Sequence, residues 1–356
     1  MKKIKIKLLV CVALATVVVS GCSIKTNKNN EVDITKSKEI VKAVNASYGD
    51  VVALTNAGNL YAIGDNSYGN FGIGDRKELK NVEKIASNVK MFSNTTALYY
   101  LNNNKELYYS GLKLEGGANR KFEKIASNVK TFTTNNGFCA SYIDSDDNVY
   151  VKSIIPKYCA YQKEYKEFTK VAENAKLIFN DDFVSGYITK NDELYYASTT
   201  DDSFIKIMDS VKKVSTDGSH ILTNDNKLYK LKSYKSNKAD MELLTTDVVD
   251  MEGDIFDMIF KKSDGNFYIE YSDKRYPFIS LDESEEPGIS KFNLKDIQSI
   301  IYYDGSSQKY VYLNNDNQYV SVKQVTNDKT LEKKLQIDNL GNNLETIEKI
   351  YKFIQS

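Results

Sequence analysis

Few side chains in this chain have the chemistry of a catalytic or metal site. His220 is the only histidine among 356 residues, which excludes a histidine triad and a multi-histidine zinc site. The acidic run at 144–147 begins like a calcium loop, but it lacks the glycine of loop position 6 and has Ile155 where position 12 requires glutamate. The residue types therefore predict no catalytic group, no cofactor and no metal.

The four cysteines fall into two groups. Cys11 and Cys22 belong to the N-terminal segment, whereas Cys139 and Cys159 belong to one repeat of the part expected to fold. In an exported protein, a disulfide between Cys139 and Cys159 would contribute roughly 3 kcal/mol by loop entropy. Two free, buried thiols are the alternative, and the sequence does not choose between them.

The N-terminus has the pattern of an export signal. Four lysines precede an apolar run at 8–19, which is short for a membrane span and normal for a signal peptide. The run ends in Val19-Ser20-Gly21-Cys22, which resembles a bacterial lipobox. The resemblance implies that 1–21 is removed and that Cys22 is acylated, giving an anchor at the extracytoplasmic face of the cell membrane. The alternative is a plain secretory signal with an incidental cysteine.

A polar segment follows the signal, and it predicts a disordered tether over 22–38. Removing the four signal lysines from the 48 basic side chains leaves 44 against 48 acidic ones, a net charge of −4. The two signs are well mixed, which argues against a nucleic-acid groove. The chain shows no sign of oligomerisation, so we expect a monomer.

A dipeptide recurs along the rest of the chain, each time after an apolar run and a short polar turn. Its seven copies are Leu60-Tyr61, Leu107-Tyr108, Val149-Tyr150, Leu194-Tyr195, Leu228-Tyr229, Phe267-Tyr268 and Gln318-Tyr319. A second sequence, Glu-Lys-Ile-Ala-Ser-Asn-Val-Lys, occurs at 83–90 and again at 123–130. Such self-similarity is typical of a repeat array.

The second unit shows what one repeat contains. Alternation and aromatic content predict strands at 88–92, 97–101, 106–109 and 122–125. Turns between the second and third strands are rich in Asn, Asp and Gly, which tolerate a positive φ. Four short strands in each of seven units predict an all-β fold, a seven-bladed β-propeller of four-stranded blades over 39–356.

The first unit resembles the repeat of the regulator of chromosome condensation family. Residues 54–75 contain a glycine turn, an aromatic strand, Gly64-x-Asn66, Gly69 and a second glycine pair, in the family's order. Gly218-Ser219-His220 resembles the family's Gly-x-His. The resemblance implies the propeller fold and a structural, hydrogen-bonded role for His220.

The closure of the ring has two candidate strands. Residues 40–44 fit the opening strand of the first unit, and residues 347–353 fit the same place from the other end of the chain. We favour the C-terminal segment as the closing strand; a terminal helix over 344–354 is the alternative.

Two features of the connections are candidates for binding. The longest connection, 272–295, carries the acidic residues Asp282, Glu283, Glu285 and Glu286, and it is either a binding loop or a solvated insertion. Tyrosine is abundant, with 26 residues and no tryptophan. Most repeat tyrosines should pack between blades, whereas those in connections fit a recognition face. The latter are Tyr68, Tyr158, Tyr161, Tyr165 and Tyr234.

These observations favour a non-catalytic, surface-anchored propeller that binds an extracytoplasmic protein or envelope polymer through its loops. Secreted relatives with this repeat include β-lactamase inhibitory proteins, so the resemblance implies protein binding in general, although the loops decide the target. Nucleotide exchange on a nuclear GTPase, another activity of the family, does not fit an exported protein. The alternative is a cell-wall or polysaccharide-acting enzyme with paired carboxylates near the central channel.

Overall fold

The computed structural model is a ring of seven antiparallel sheets that follow one another along the chain, a seven-bladed β-propeller. Six of the blades are meanders from an innermost first strand to an outermost fourth strand, and the remaining blade adds a strand at its outer edge, so the predicted fold class is confirmed. The structure describes residues 37–46, 49–95, 97–112, 118–135, 139–153, 161, 164–180, 184–215, 217–253, 257–271, 281–283, 289–292, 296–304, 309–326 and 333–356.

The first four blades have four strands each. Blade one contains β1 Val41–Ala46, β2 Asp50–Thr55, β3 Leu60–Gly64 and β4 Leu79–Ala86. Blade two contains β5 Val89–Asn94, β6 Ala97–Asn102, β7 Leu107–Leu112 and β8 Ala118–Ala126. Blade three contains β9 Val129–Asn135, β10 Cys139–Asp144, β11 Val149–Ser153 and β12 Tyr165–Ala172. Blade four contains β13 Ala175–Asn180, β14 Ser185–Thr189, β15 Leu194–Ala197 and β16 Phe204–Met208.

The last three blades continue the pattern, with one extra strand. Blade five contains β17 Val211–Val214, β18 His220–Thr223, β19 Leu228–Lys235 and β20 Lys238–Thr245. Blade six contains β21 Val248–Gly253, β22 Asp257–Lys262, β23 Phe267–Tyr271, β24 Leu281–Glu283 and β25 Ile289–Phe292. Blade seven contains β26 Ile297–Asp304, β27 Lys309–Asn314, β28 Tyr319–Thr326 and β29 Lys333–Gly341, and a helix, α1 Glu345–Gln355, follows it.

Backbone hydrogen bonds tie each hairpin to the links between blades. The amide of Asn103, in the turn of blade two, donates to Asn88 O at 3.0 Å, and the equivalent bond occurs in all seven blades. The carbonyl of Lys105 then accepts from Val129 N, the start of blade three, at 2.9 Å. Lys105 has a φ of 61°, so the predicted positive-φ position in this turn is confirmed, although a lysine occupies it. Asn88, predicted to begin a strand, also has a φ of 61° and belongs to the link before β5.

Each interface between neighbouring blades has its own cluster of buried apolar side chains. Leu107 of the repeated dipeptide packs toward blade three, and Tyr108 packs toward blade one. Full burial of one such leucine stabilises the fold by about 1.5–3 kcal/mol. Because each blade face is covered by the next blade, the repeats form one ring and not separate domains.

The repeat tyrosines form aromatic pairs across the second and third strands. In blade two, the rings of Tyr100 and Tyr108 stack with centroids 5.0 Å apart, and the edge of Phe122 meets Tyr100 at 4.8 Å. Blades three and four repeat this group of three rings. Such pairs contribute about 0.5–1.5 kcal/mol beyond their buried area. The prediction that repeat tyrosines serve packing is confirmed.

The prediction of a C-terminal closing strand is wrong. Residues 345–355 form α1, and β1 pairs only with β2 in the first sheet. The strand prediction failed because it took an alternating pattern where the buried residues follow helical spacing: Ile347, Ile350 and Ile354 pack together between blades one and seven. The helix thus fills the space between the first and last blades.

One asparagine completes the backbone closure. The amide of Val41 donates to Asn342 O at 2.8 Å, and Asn342 Nδ2 donates to Asn317 O at 3.1 Å. At the five links from blade one to blade six, the first strand bonds directly to the hairpin carbonyl that Asn317 supplies here. Asn342 therefore acts as a spacer where α1 separates two blades.

Two further expectations need correction. The connection 272–295 is not loop throughout, because β25 serves as the fourth strand of blade six and β24 adds a fifth strand at its edge. In blade seven, the dipeptide is shifted by one residue. Tyr319 pairs with Leu313 and so takes the place of the leucine, and it is 1% exposed against α1.

Candidate binding faces

The meander topology gives the propeller two different ends. The hairpin face, as we name it, carries the turns between second and third strands and the links between blades. The loop face carries the connections between first and second strands and between third and fourth strands. The described connections on the loop face vary in length, from the short turn at 236–237 to the segment 65–78. Variable loops on a rigid scaffold commonly carry function.

Buried polar groups join neighbouring blades beneath the loop face. Asn94 of blade two donates to Asp50 of blade one at 3.2 Å, and Asn180 of blade four donates to Ser141 of blade three at 3.2 Å. The hydroxyl of Tyr196 in blade four donates to Gly218 O of blade five at 2.8 Å. Since a buried polar group is costly without its partner, these bonds fix the blades relative to one another.

Among the described residues, His220 belongs to the hydrogen-bond network between blades that includes the most side chains. Its side chain is fully buried, with Nδ1 2.8 Å from Ser219 Oγ and Nε2 3.1 Å from Glu270 Oε2 of blade six. Ser219 Oγ also donates to Asp217, and Lys230 donates to Glu270. His220 is hydrogen-bonded on both nitrogens, as the resemblance implied, and it joins blade five to blade six.

The same residues are in the hydrogen-bond order of a nucleophilic triad, from serine to histidine to carboxylate. Ser219 is only 5% exposed, and its hydroxyl also donates a hydrogen bond to Asp217. Its neighbour His220 is 0% exposed. A buried serine that already donates to a carboxylate has no surface on which to meet a substrate, so we assign the group a structural role.

Glu270 should make stability depend on pH. Burial acts to raise its pKa, but hydrogen bonds from His220 and Lys230 outweigh burial and hold the pKa below its ordinary value of 4.5. A depressed folded-state pKa stabilises the fold above the unfolded-state value, and this contribution is lost as pH falls through the folded-state pKa. Urea unfolding between pH 7 and pH 3 should therefore show a steeper loss of stability for the natural protein than for Glu270→Gln, in which this position does not titrate. Parallel curves for the two proteins would contradict the assignment.

The connection from the end of β3 to β4 of blade one contains four glycines with positive φ and packs against blade two on the loop face. We name residues 64–75 the glycine loop. Asn66, 0% exposed, accepts from Phe71 N at 3.0 Å and donates to Asp75 O at 3.1 Å, which closes the loop on itself. Phe71 is fully buried in the cluster between blades one and two.

Blade two holds the glycine loop at two points. Ser110 Oγ donates to Gly69 O at 2.9 Å, and Gly74 N donates to Arg120 O at 2.6 Å. The loop is therefore held by hydrogen bonds and a buried aromatic side chain, and the residues that it exposes have fixed positions.

The exposed side of this region combines apolar and basic groups. Tyr68 and Ile73 are 46% and 38% exposed, and Arg76 and Arg120 are exposed as well. Within the described part of the chain, neither arginine forms an ion pair. The sequence has three arginines, and two of them lie here. We name Tyr68, Ile73, Arg76 and Arg120 the loop-face patch.

The hairpin face has a different regularity around the central channel. In every blade, a β-bulge makes the second residue of the innermost strand the unpaired one. These residues are Lys42, Lys90, Lys130, Lys176, Lys212, Val249 and Gln298. Five consecutive blades therefore place a lysine at the same position. Sequence reasoning missed this set, although the Val-Lys that begins four of the seven units was a visible signal.

The other predicted site residues are only partly within the described structure. Cys139 is fully buried between blades three and four and is disulfide-bonded, whereas Cys159, its predicted partner, lies outside the described residues, as do Cys22 and Tyr158. Asp282 and Glu283 belong to β24, and Glu285 and Glu286 lie outside the described residues.

The predicted tyrosine face is correct only in part. Tyr68 is exposed, but Tyr161 and Tyr165 are 8% and 6% exposed, and Tyr234 is half-buried. The ring of Tyr161 meets that of Tyr165 at 5.7 Å, in the apolar cluster between blades three and four. Tyr165 belongs to β12 and Tyr234 to β19, and all three of these tyrosines pack in the apolar clusters between blades, which the sequence does not reveal.

Neither a metal cluster nor a membrane-spanning helix appears in the part of the chain that the structure describes. No group of three or more His, Cys, Asp or Glu side chains is placed to hold a metal ion there. No helix in the described ranges has the length and apolarity needed to cross a membrane.

Comparison with known proteins shows the fold. No protein-family profile matches the chain, and no curated protein matches it in sequence. Among solved structures, it is similar to Prp20p from Saccharomyces cerevisiae, which is yeast RCC1 and binds Gsp1p and histones. The TM-score is 0.55 at 14% identity, covering 88% of this chain and 85% of Prp20p. The predicted resemblance is thus confirmed as a likeness of fold.

Two more solved structures share the architecture. Human WBSCR16 matches with a TM-score of 0.54 at 10% identity, covering 67% of this chain and 78% of that one. PorZ of Porphyromonas gingivalis, a bacterial surface component of the type-IX secretion system, matches with a TM-score of 0.50 at 10% identity. That match covers 85% of this chain and 38% of PorZ. At these identities, the chain shares a fold with the three proteins.

Proposed function

We propose that this protein is a non-catalytic binding propeller that is anchored to the extracytoplasmic face of the cell membrane through Cys22. It binds a protein partner through the loop-face patch. The observation that carries the proposal is the exposure of Tyr68 and Ile73 beside Arg76 and Arg120 on a loop that buried contacts hold in place. Tyrosine and arginine dominate the energetics of protein interfaces, and a pre-ordered loop loses little entropy on binding.

The known propellers support this choice without naming the partner. Prp20p, which has the same fold, binds Gsp1p and histones, and PorZ is a bacterial surface component. The lipobox-like Val19-Ser20-Gly21-Cys22 supports the anchor. A tether over 22–38 would hold the propeller away from the bilayer and leave its loop face accessible.

The described innermost strands give the alternative enzyme little support, because their carboxylates are confined to blades six and seven. The innermost strands of blades one to five, β1, β5, β9, β13 and β17, contain no Asp or Glu. Asp250, on β21, forms an ion pair with Lys213, and although burial acts to raise its pKa, contact with Lys213 holds the pKa below its ordinary value. A general acid of a glycosidase needs the opposite shift.

Site-specific crosslinking in the producing cell tests the proposal. A photoreactive residue at position 68 should give a discrete protein adduct, whereas the same residue at Asn103, exposed on the hairpin face, should not. Arg76→Ala/Arg120→Ala should reduce the adduct at least about tenfold, since two interface arginines commonly contribute more than 1.4 kcal/mol. Cys22→Ser should move the protein from the membrane fraction to the soluble fraction.

The control for the loss of positive charge alone is Lys235→Ala/Lys238→Ala, which removes two exposed lysines from the loop face of blade five. An adduct that survives the arginine substitutions, or falls equally in the lysine control, would contradict the patch. Retention on purified wall polymer without a protein adduct would contradict a protein partner. Membrane retention of Cys22→Ser would contradict the lipid anchor separately.

A further inference from the structure

The channel mouth on the hairpin face carries a set of cations with no assigned role. We name Lys42, Lys90, Lys130, Lys176 and Lys212 the channel lysines. In each of these strands the residue just before the lysine is at most 3% exposed, whereas the lysine is exposed or half-buried. A bulge breaks the alternation of a strand and turns the extra side chain away from the packed face. The five side chains therefore leave the blade interfaces at equivalent points of the ring.

Contacts show where the ammonium groups lie. Lys176 Nζ is 3.4 Å from Val211 O, and Lys212 Nζ donates to Val249 O at 2.6 Å. Both acceptors belong to the innermost strand of the next blade. Each of these lysines thus extends along the rim of the channel toward its neighbour, and the charges follow the mouth of the channel.

Among the residues that the structure describes, ion pairs to the channel lysines occur only in blades three and four. In blades three and four, the left-handed turn residue is an aspartate: Asp147 pairs with Lys130, and Asp192 pairs with Lys176. In blades one and two, the same turn position holds Gly58 and Lys105. Within the described residues, Lys42 and Lys90 have no ion pair, whereas Lys105 Nζ donates to Ser145 Oγ in the hairpin of blade three at 2.9 Å. Positive charge is therefore concentrated and unbalanced at the mouth beside blades one and two.

The surroundings do not cancel this charge. The innermost strands of blades one to five contain no acidic residue. Two acidic side chains of the hairpin face are engaged elsewhere: Glu39 accepts from Thr55 and Asn59 of the blade-one hairpin, and Asp225 pairs with Lys227. A concave site lined by one sign of charge concentrates counter-ions.

We propose that the channel lysines beside blades one and two, Lys42 and Lys90, bind a compact anion that carries two or more phosphate groups. Lysine binds phosphate as a point charge and needs no planar partner, whereas bidentate recognition of carboxylates uses arginine. The ligand is compact because the lysines are arranged around one axis and do not follow an extended groove. This site is on the opposite end of the ring from the loop-face patch and does not depend on it.

Isothermal titration of the full-length protein in non-ionic detergent with tripolyphosphate tests the site. The natural protein should bind, and Lys42→Gln/Lys90→Gln should weaken binding by about tenfold or more, because two unpaired charges at the mouth are removed. The matched control Lys80→Gln/Lys84→Gln removes two exposed lysines from β4, away from the channel, and should stay within about twofold.

Citrate and a single-stranded oligonucleotide, at equal ionic strength, are the comparison ligands. Weaker binding of both than of tripolyphosphate supports a compact phosphate ligand. Absence of tripolyphosphate binding, or equal losses in the two lysine variants, would overturn the site. Equal affinity for citrate would overturn the phosphate assignment, and tighter, lysine-dependent binding of the oligonucleotide would overturn the compact ligand. Unchanged circular dichroism of both variants establishes that they are folded.

Discussion

Replacing Ile350 with alanine should lower the free energy of unfolding by about 2–5 kcal/mol, the usual cost of a large-to-small change in a packed core. Ile350 is fully buried in the cluster that α1 forms with blades one and seven. No sheet contains strands from both ends of the chain, so α1 and Asn342 supply the closure that a shared blade would otherwise give. The cavity therefore forms at the one interface of the ring that is closed by a helix.

Urea unfolding followed by circular dichroism measures this effect, and the same helix supplies a control. The side chain of Lys352 is 71% exposed, and its ion pair with Glu348 is on the surface. Lys352→Ala should change stability by no more than about 0.5 kcal/mol. If Ile350→Ala costs less than about 1 kcal/mol, direct contact of the first and last blades closes the ring without α1.

The blades were predictable because their information is local and repeated. A hairpin needs a turn that accepts positive φ between two apolar runs, and this pattern occurs seven times in the sequence. The helix α1 was harder to recognise because its N-cap position, Leu344, makes no side-chain cap. Its stability comes from packing between the first and last blades, which are adjacent in the ring but far apart in sequence, and a short sequence window does not show such tertiary contacts.

The candidate sites were less predictable than the fold for two different reasons. The loop-face patch joins Tyr68 of one repeat to Arg120 of the next, and only the fastening of the glycine loop to blade two brings them together. The channel lysines belong to a Val-Lys pattern that recurs in the sequence. In a regular strand, however, alternation assigns such a lysine to ordinary solvent, and only the bulge places it at the channel mouth.

Gly72→Ala should be among the most damaging single-methyl additions on the loop face. Gly72 has a φ of 69°, and a Cβ there would lie closer to the Phe122 ring than real Cβ atoms approach any neighbour. Positive φ costs an alanine about 1–2 kcal/mol, and overpacking adds about 1–3 kcal/mol. Phe122 cannot move freely, because its ring meets Tyr100 edge-on at 4.8 Å within the cluster between blades one and two.

Gly265→Ala separates the two causes of this loss. Gly265 has a φ of 83°, but a Cβ there would have no atom within 4 Å. We therefore expect only the backbone cost, about 1–2 kcal/mol, from this variant. Chemical denaturation of both variants should give a loss of about 2–5 kcal/mol for Gly72→Ala, and equal losses would mean that the glycine loop yields to the added methyl group. Because Tyr68 and Ile73 flank Gly72 on the same loop, the crosslink from position 68 should also weaken in Gly72→Ala and persist in Gly265→Ala. Its persistence in both variants would show that partner binding does not require the native position of the glycine loop.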